Sequence, residues 1–121
     1  MTKILFVEDE SALQKTMNEI LQQEGFEVLS AYDGKTGLET AQKEKPDLIL
    51  LDLILPKMEG FEVLEHLKAD EGTKQIPVIV LTNLEGVGDV DRALSMGATT
   101  YLVKANYELE EVVRKIRESL K

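Results

Sequence analysis

Pro46-Asp47-Leu48-Ile49-Leu50-Leu51-Asp52 is the stretch that decides the fold. Four consecutive apolar residues, with no alternation of polar ones, describe a strand covered on both faces. Pro46 stands just ahead of it, where a missing N–H does least harm. Asp52 closes it, so the strand ends on a carboxylate at the rim of a sheet. The run Ile4-Leu5-Phe6-Val7 has the same form and leads into Glu8-Asp9-Glu10. Two such strands side by side would gather Glu8, Asp9 and Asp52. Carboxylates ~4 Å apart at intermediate dielectric repel by roughly 4 kcal/mol per pair. A cluster of this kind calls for a divalent cation.

Working outward, strand-like runs recur at Val28–Ala31, Val78–Leu81 and Tyr101–Val103, with helical periodicity between them. Leu13, Met17, Ile20 and Leu21 form the first helical stripe. Ser11-x-x-Gln14 reads as its capping box and Gly25 as its stop. Asp33 is placed to cap a second helix reaching about Glu44. Phe61, Leu64 and Leu67 mark a third. Val87, Val90 and Leu94 mark a fourth, stopped by Gly97. Leu109, Val112, Val113, Ile116 and Leu120 mark a fifth, which Asn106 can cap. Five strand–helix units imply an α/β protein: one (βα)5 doubly wound parallel sheet with right-handed crossovers. Residues 1–121 are expected to form one domain. In such sheets ligands sit beyond the carboxyl ends of the strands. Glu8, Asp9, Asp52, Thr82 and Lys104 all fall at those ends.

Composition removes several chemistries. The absence of cysteine excludes disulfides, thiolate metal sites and a Cys nucleophile. The only histidine, His66, rules out a multi-His zinc site. A net charge of -9 argues against direct binding to nucleic acid or to an anionic membrane. No apolar run approaches the ~20 residues of a membrane span. A cytoplasmic protein is expected. Gly86-x-Gly88 lacks the third glycine of a dinucleotide loop, and no Walker lysine is near. Glu8-Asp9-Glu10 would repel the phosphate of a flavin cofactor. An aspartate-nucleophile phosphohydrolase would want an acid where Ile54 stands.

Taken in register, these fragments resemble the receiver domain of two-component response regulators, in the manner of the chemotaxis regulators. The resemblance rests on Val7-Glu8-Asp9, on Pro46 through Asp52, and on Pro56-x-Met58-x-Gly60. It also rests on Thr82, on Gly97-Ala98 and on Tyr101-x-x-Lys104. It covers essentially the whole chain and implies a flavodoxin-like fold with strand order 2-1-3-4-5. It implies Asp52 as phosphoacceptor, with Mg²⁺ held by Glu8, Asp9, Asp52 and the backbone carbonyl of Ile54. Lys104 and Thr82 would meet the phosphoryl oxygens, and Tyr101 would be the aromatic that moves with Thr82. The expected function is a phosphorelay switch that catalyses its own aspartyl phosphorylation and dephosphorylation. A sensor histidine kinase or phosphotransfer protein would supply the phosphoryl group. A downstream protein target would read the face formed by the fourth helix, fifth strand and fifth helix. The alternative is a pseudo-receiver, an interaction module without phosphotransfer.

Four departures from the family pattern stand out. Glu8 replaces an aspartate found in many members, and its extra methylene allows ligation through a water. Ala105 follows Lys104 where the family has proline after a cis peptide; cis before alanine costs ~3–4 kcal/mol, so a trans bond is expected. Asn83 occupies a usually small position. Thr99 and Thr100 stand where the winged-helix transcription-factor branch has acids.

Overall fold

The computed structural model describes residues 1–120. Its strands are β1 (Lys3–Val7), β2 (Glu27–Ala31), β3 (Leu48–Leu51), β4 (Val78–Thr82) and β5 (Thr100–Val103). Its helices are α1 (Ser11–Gln23), α2 (Gly34–Glu44), α3 (Gly60–Ala69), α4 (Val87–Ser95) and α5 (Leu109–Ser119). Every strand pairing is parallel, in the order β2-β1-β3-β4-β5. This is the order that the resemblance implied.

The apolar runs are continuous because the sheet is covered twice. Leu5, Val7, Ile49 and Leu51 point to one side, where they pack with Leu38 and Ala41 of α2, Leu64 and Leu67 of α3, and Ala93 of α4. Ile4, Phe6, Leu48 and Leu50 point to the other, against Met17 and Leu21 of α1 and Val112, Val113 and Ile116 of α5. Burying one such side chain is worth about 1.5–3 kcal/mol. The central strands, solvent-free on both faces, are therefore the most firmly fixed part of the molecule.

Local signals explain where the helices begin and end. Asp33 caps α2, accepting from the Thr36 amide at 2.7 Å. Gly25 and Gly97 follow α1 and α4 at φ 93° and 107°, the left-handed region that glycine enters without strain. Two expected caps are not formed. Ser11 lies inside α1, whose N-cap is Glu10, and the Gln14 side chain turns away to the ends of the strands. Asn106 lies in a short 3-10 turn, Lys104–Asn106, and α5 is capped instead by Glu108 in a reciprocal box with Glu111. The Lys104–Ala105 peptide is trans, as expected. In α4 the apolar stripe does not face the core. Only Ala93 is buried, while Val87 and Leu94 are 76% and 45% exposed. Among the described residues no helix is long and apolar enough to cross a membrane.

Candidate functional site

Register brings the rim residues together. Val7 pairs with Leu51, so Glu8 and Asp52 leave adjacent strands side by side. The Asp52 amide donates to the Val7 carbonyl at 3.0 Å, and the Glu8 amide to the Ala31 carbonyl at 2.9 Å. Thr82 pairs with Val103, which places Thr82 next to the residue preceding Lys104. Below the site, Gly60 lies so close to β3 that a β-carbon there would come within 2.3 Å of the Asp52 carbonyl oxygen. Only glycine allows α3 to start there.

One oxygen from each of Glu8, Asp9 and Asp52 lies within 4.8 Å of the others. Glu8 and Asp52 are buried, at 1% and 3% exposure, while Asp9 is open to solvent. Lys104 spans the buried pair. Its Nζ lies 2.6 Å from Glu8 Oε1 and donates to Asp52 Oδ2 at 2.9 Å. Asp52 Oδ1 accepts from the Ile54 amide at 3.2 Å. Glu8 Oε2 accepts from the Glu10 amide at 3.1 Å. Glu8 Oε1 receives no well-aligned hydrogen bond, so its only compensation is the nearby ammonium.

Three carboxylates and one ammonium leave two unbalanced negative charges. Burial raises the Glu8 pKa; the nearby Lys104 ammonium and the bond from the Glu10 amide oppose this, and the Asp52 charge adds to it. Lys104 is pulled down by its own burial, but the Glu8 and Asp52 carboxylates beside it win and its pKa rises. The asymmetry follows from counting partners. The lysine serves two anions, whereas Glu8 has one cation and a like-charged neighbour.

This donor set fits magnesium. It is all oxygen, it carries excess negative charge, it contains a buried oxygen short of hydrogen bonds, and Asp9 leaves one side open for waters. Zinc would prefer nitrogen or sulfur ligands, and no such side chain joins this cluster.

The raised Glu8 pKa has a definite sign. A carboxyl whose folded pKa lies above its unfolded value contributes stability below about pH 4.5, lost as pH rises through the folded value. Ionised Glu8 is therefore a cost to the metal-free fold at neutral pH. Glu8→Gln should raise the metal-free melting temperature at pH 7 by a few degrees. That gain should vanish as the pH falls below 4.5, and the variant should lose most of its magnesium-dependent stabilisation. Thermal melts across pH, with and without Mg²⁺, check all three.

Of the remaining expected site residues, Thr82 lies at this rim, while Tyr101 pairs with Val80 inside the sheet and reaches the loop after β4 through its hydroxyl. Thr82 is fully buried, and its hydroxyl lies 3.5 Å from the Leu84 amide. Tyr101 is half-buried and donates its hydroxyl to the Leu84 carbonyl at 2.9 Å. Leu84 thus touches Thr82 through its amide and Tyr101 through its carbonyl, a link made by backbone and invisible to side-chain reading. Ile54 is 53% exposed, and its contact with Asp52 is through its amide. His66 lies on the surface of α3, 3.8 Å from Glu62.

The sequence profile of the response regulator receiver domain matches residues 4–117. The chain belongs to this family. The DNA-binding dual master transcriptional regulator RpaA of Synechocystis is 38% identical over all 121 residues, which make up 50% of that protein. The chain spans about half the length of the curated relatives it matches. Among solved structures, the Vibrio cholerae chemotaxis protein CheY4 superposes with a TM-score of 0.91 at 31% identity, covering 99% of each chain. The receiver domain of the Pseudomonas aeruginosa sensor histidine kinase PA1611, with a magnesium ion coordinated in its active site cleft, gives a TM-score of 0.89 at 28% identity. That match covers 98% of this chain and 97% of the other. As a receiver domain, the chain is a component of two-component signalling.

Proposed function

We propose that this receiver domain accepts a phosphoryl group on Asp52 in a magnesium-dependent reaction. The observation that carries the reading is the Lys104 ammonium bridging Glu8 and Asp52, with Asp9 completing the acidic cluster. Glu8, Asp9 and Asp52 would hold the ion, with the Ile54 carbonyl as a further donor. When bound, the ion supplies a Lewis acid that draws charge from a phosphoryl oxygen.

The chain's own groups do the rest. An Asp52 carboxylate oxygen attacks phosphorus; an O–P bond forms as the N–P bond of a phosphohistidine, or the O–P bond of a small acyl phosphate, breaks. Charge spreads over three equatorial oxygens. Lys104 and the Thr82 hydroxyl would meet two of them, so catalysis would be positioning and electrostatics. Phosphorylation adds roughly two negative charges. As Thr82 moves toward them, it pulls on Leu84, and Tyr101 follows through its bond to the Leu84 carbonyl. That motion would alter the face of α4, β5 and α5, where Val87 and Leu94 already lie exposed.

The donor would be a sensor histidine kinase or a phosphotransfer protein in the cytoplasm, and the reader a downstream protein. The relative RpaA is DNA-binding; the net charge of -9 on this chain argues against direct nucleic-acid contact through these residues.

Intact-mass measurement with a small acyl phosphate tests the proposal. Addition of one phosphoryl mass with Mg²⁺, and none with a chelator, is the expected result. No addition under either condition would favour a pseudo-receiver.

Ile54 and Leu84 flank the site, and neither side chain can orient water. A long-lived aspartyl phosphate should result. Leu84→Asn should shorten its half-life severalfold, measured by mass at timed intervals; unchanged decay in Leu84 and Ile54 variants would contradict this.

A further inference from the structure

Gln14 is the polar member of an otherwise apolar helix face. With Met17 and Leu21 it forms the buried stripe of α1, and it is 1% exposed. A leucine there would extend the stripe. Instead the two hydrogens of the Gln14 Nε2 are shared among the carbonyls of Phe6 at 2.9 Å, Glu8 at 3.1 Å and Ala31 at 2.9 Å. These carbonyls lie together where β1 and β2 end, and that of Ala31 also accepts from the Glu8 amide. Phe6, Glu8 and Ala31 are all buried, so the amide meets these carbonyls away from water. The orientation of the amide is fixed from its other side, where Asn18 Nδ2 donates to Gln14 Oε1 at 3.0 Å. Asn18 Oδ1 in turn accepts from Ser30 Oγ at 3.2 Å.

The Glu8 carbonyl belongs to the same residue as the buried carboxylate beside Lys104. Three bonds hold that residue. Its amide is fixed on Ala31, its carbonyl on Gln14, and its carboxylate on the Glu10 amide. Gln14 alone among these ties comes from a helix, and it clasps both strands at once. We propose that Gln14 is a positioning residue for the metal site, holding the Glu8-Asp9-Glu10 turn in ion-binding geometry. This rests on the magnesium reading above. Groups one layer behind a metal's ligands typically set its affinity by about 10–100-fold. Gln14 differs from most such groups in acting on a ligand's backbone.

The test is calorimetric titration of Mg²⁺ into wild type, Gln14→Met and Met17→Ala at a temperature where circular dichroism shows each folded. Gln14→Met keeps the length and removes the donors. Met17→Ala removes a buried neighbour on the same stripe and leaves the carbonyls untouched. The expected result is a magnesium Kd raised about tenfold or more in Gln14→Met and unchanged within about twofold in Met17→Ala. Amide exchange at Glu8 and Glu10 in the metal-free protein should accelerate in Gln14→Met only. Should Gln14→Met fail to fold, Gln14→Asn, too short to span the three carbonyls, takes its place with the same expectation. Equal affinities in wild type and the Gln14 variant overturn the inference and leave the magnesium reading intact. Equal losses in the Gln14 and Met17 variants overturn it too, by reducing it to packing. No binding by wild type overturns both.

Discussion

Lys104→Met should destabilise the metal-free protein by about 3–5 kcal/mol, the range for leaving one side of a buried ion pair unpartnered. The setting is unusually exacting. The Lys104 side chain is 16% exposed, and the side chains of its two partners are 1% and 4% exposed. Removing the ammonium leaves two buried carboxylates facing each other, with a third nearby. Glu8, already raised by burial, would rise further, so the penalty should be greatest at neutral pH and should shrink on acidification. Magnesium should restore part of the loss, about 2.7 kcal/mol at a concentration 100 times its Kd. Incorporation of phosphate should not recover with it. In the proposed reaction the lysine would also be one of the fixed charges aimed at the transferring group, and losing such a group costs about 10²–10³ in rate. Denaturant unfolding with and without Mg²⁺, beside timed intact-mass measurements, separates the two effects. A variant as stable as wild type in the absence of metal would contradict the charge accounting.

Asp52→Asn should abolish phosphoryl incorporation altogether. The amide keeps the shape of the side chain and can still accept from Lys104, but it is no nucleophile toward phosphorus. Its effect on the metal-free fold should be small or favourable, because it removes a like charge from beside Glu8. Magnesium should bind more weakly, since a charged ligand is gone. Loss of incorporation with an unchanged or raised melting temperature is the expected pair of results. It also sets this variant apart from Lys104→Met, in which both fall. Incorporation into Asp52→Asn at the wild-type rate would move the acceptor elsewhere.

The parts of this protein that were legible in its sequence share a physical trait: one residue type serves one purpose. Leu48-Ile49-Leu50-Leu51 has no polar face, so a doubly covered strand is its only comfortable home. Gly25 and Gly97 stop helices in the left-handed region. Asp33 can cap α2 because a short acceptor before a helix has an amide within reach. Acids that end apolar strands predict their own convergence, and Glu8, Asp9 and Asp52 do meet.

What escaped the sequence has two causes. The first is that one residue type fits two jobs. Gln14 three places after Ser11 has the spacing of a capping box, yet its amide is taken by three carbonyls at the strand ends. Asn106 is a good cap in the wrong place, displaced by the turn after Lys104 and outdone by the Glu108–Glu111 box. Val87, Val90 and Leu94 keep a helical period, but periodicity does not say what the stripe faces. The second cause is that backbone carries no letter. The amide of Ile54 on Asp52, and the two ends of Leu84 joining Thr82 to Tyr101, are contacts that side-chain identity never announces.

The central claim is that a phosphoryl group lands on Asp52 because Lys104 and a magnesium ion neutralise the rim around it. Borohydride reduces an acyl phosphate to an alcohol, so a phosphorylated aspartate becomes homoserine and can be found by peptide mass mapping. After incubation with a small acyl phosphate, homoserine at position 52 alone, dependent on Mg²⁺, is the predicted result. Homoserine at Asp9 or at another acid, or labelling of Asp52 that is indifferent to Mg²⁺, would contradict the account.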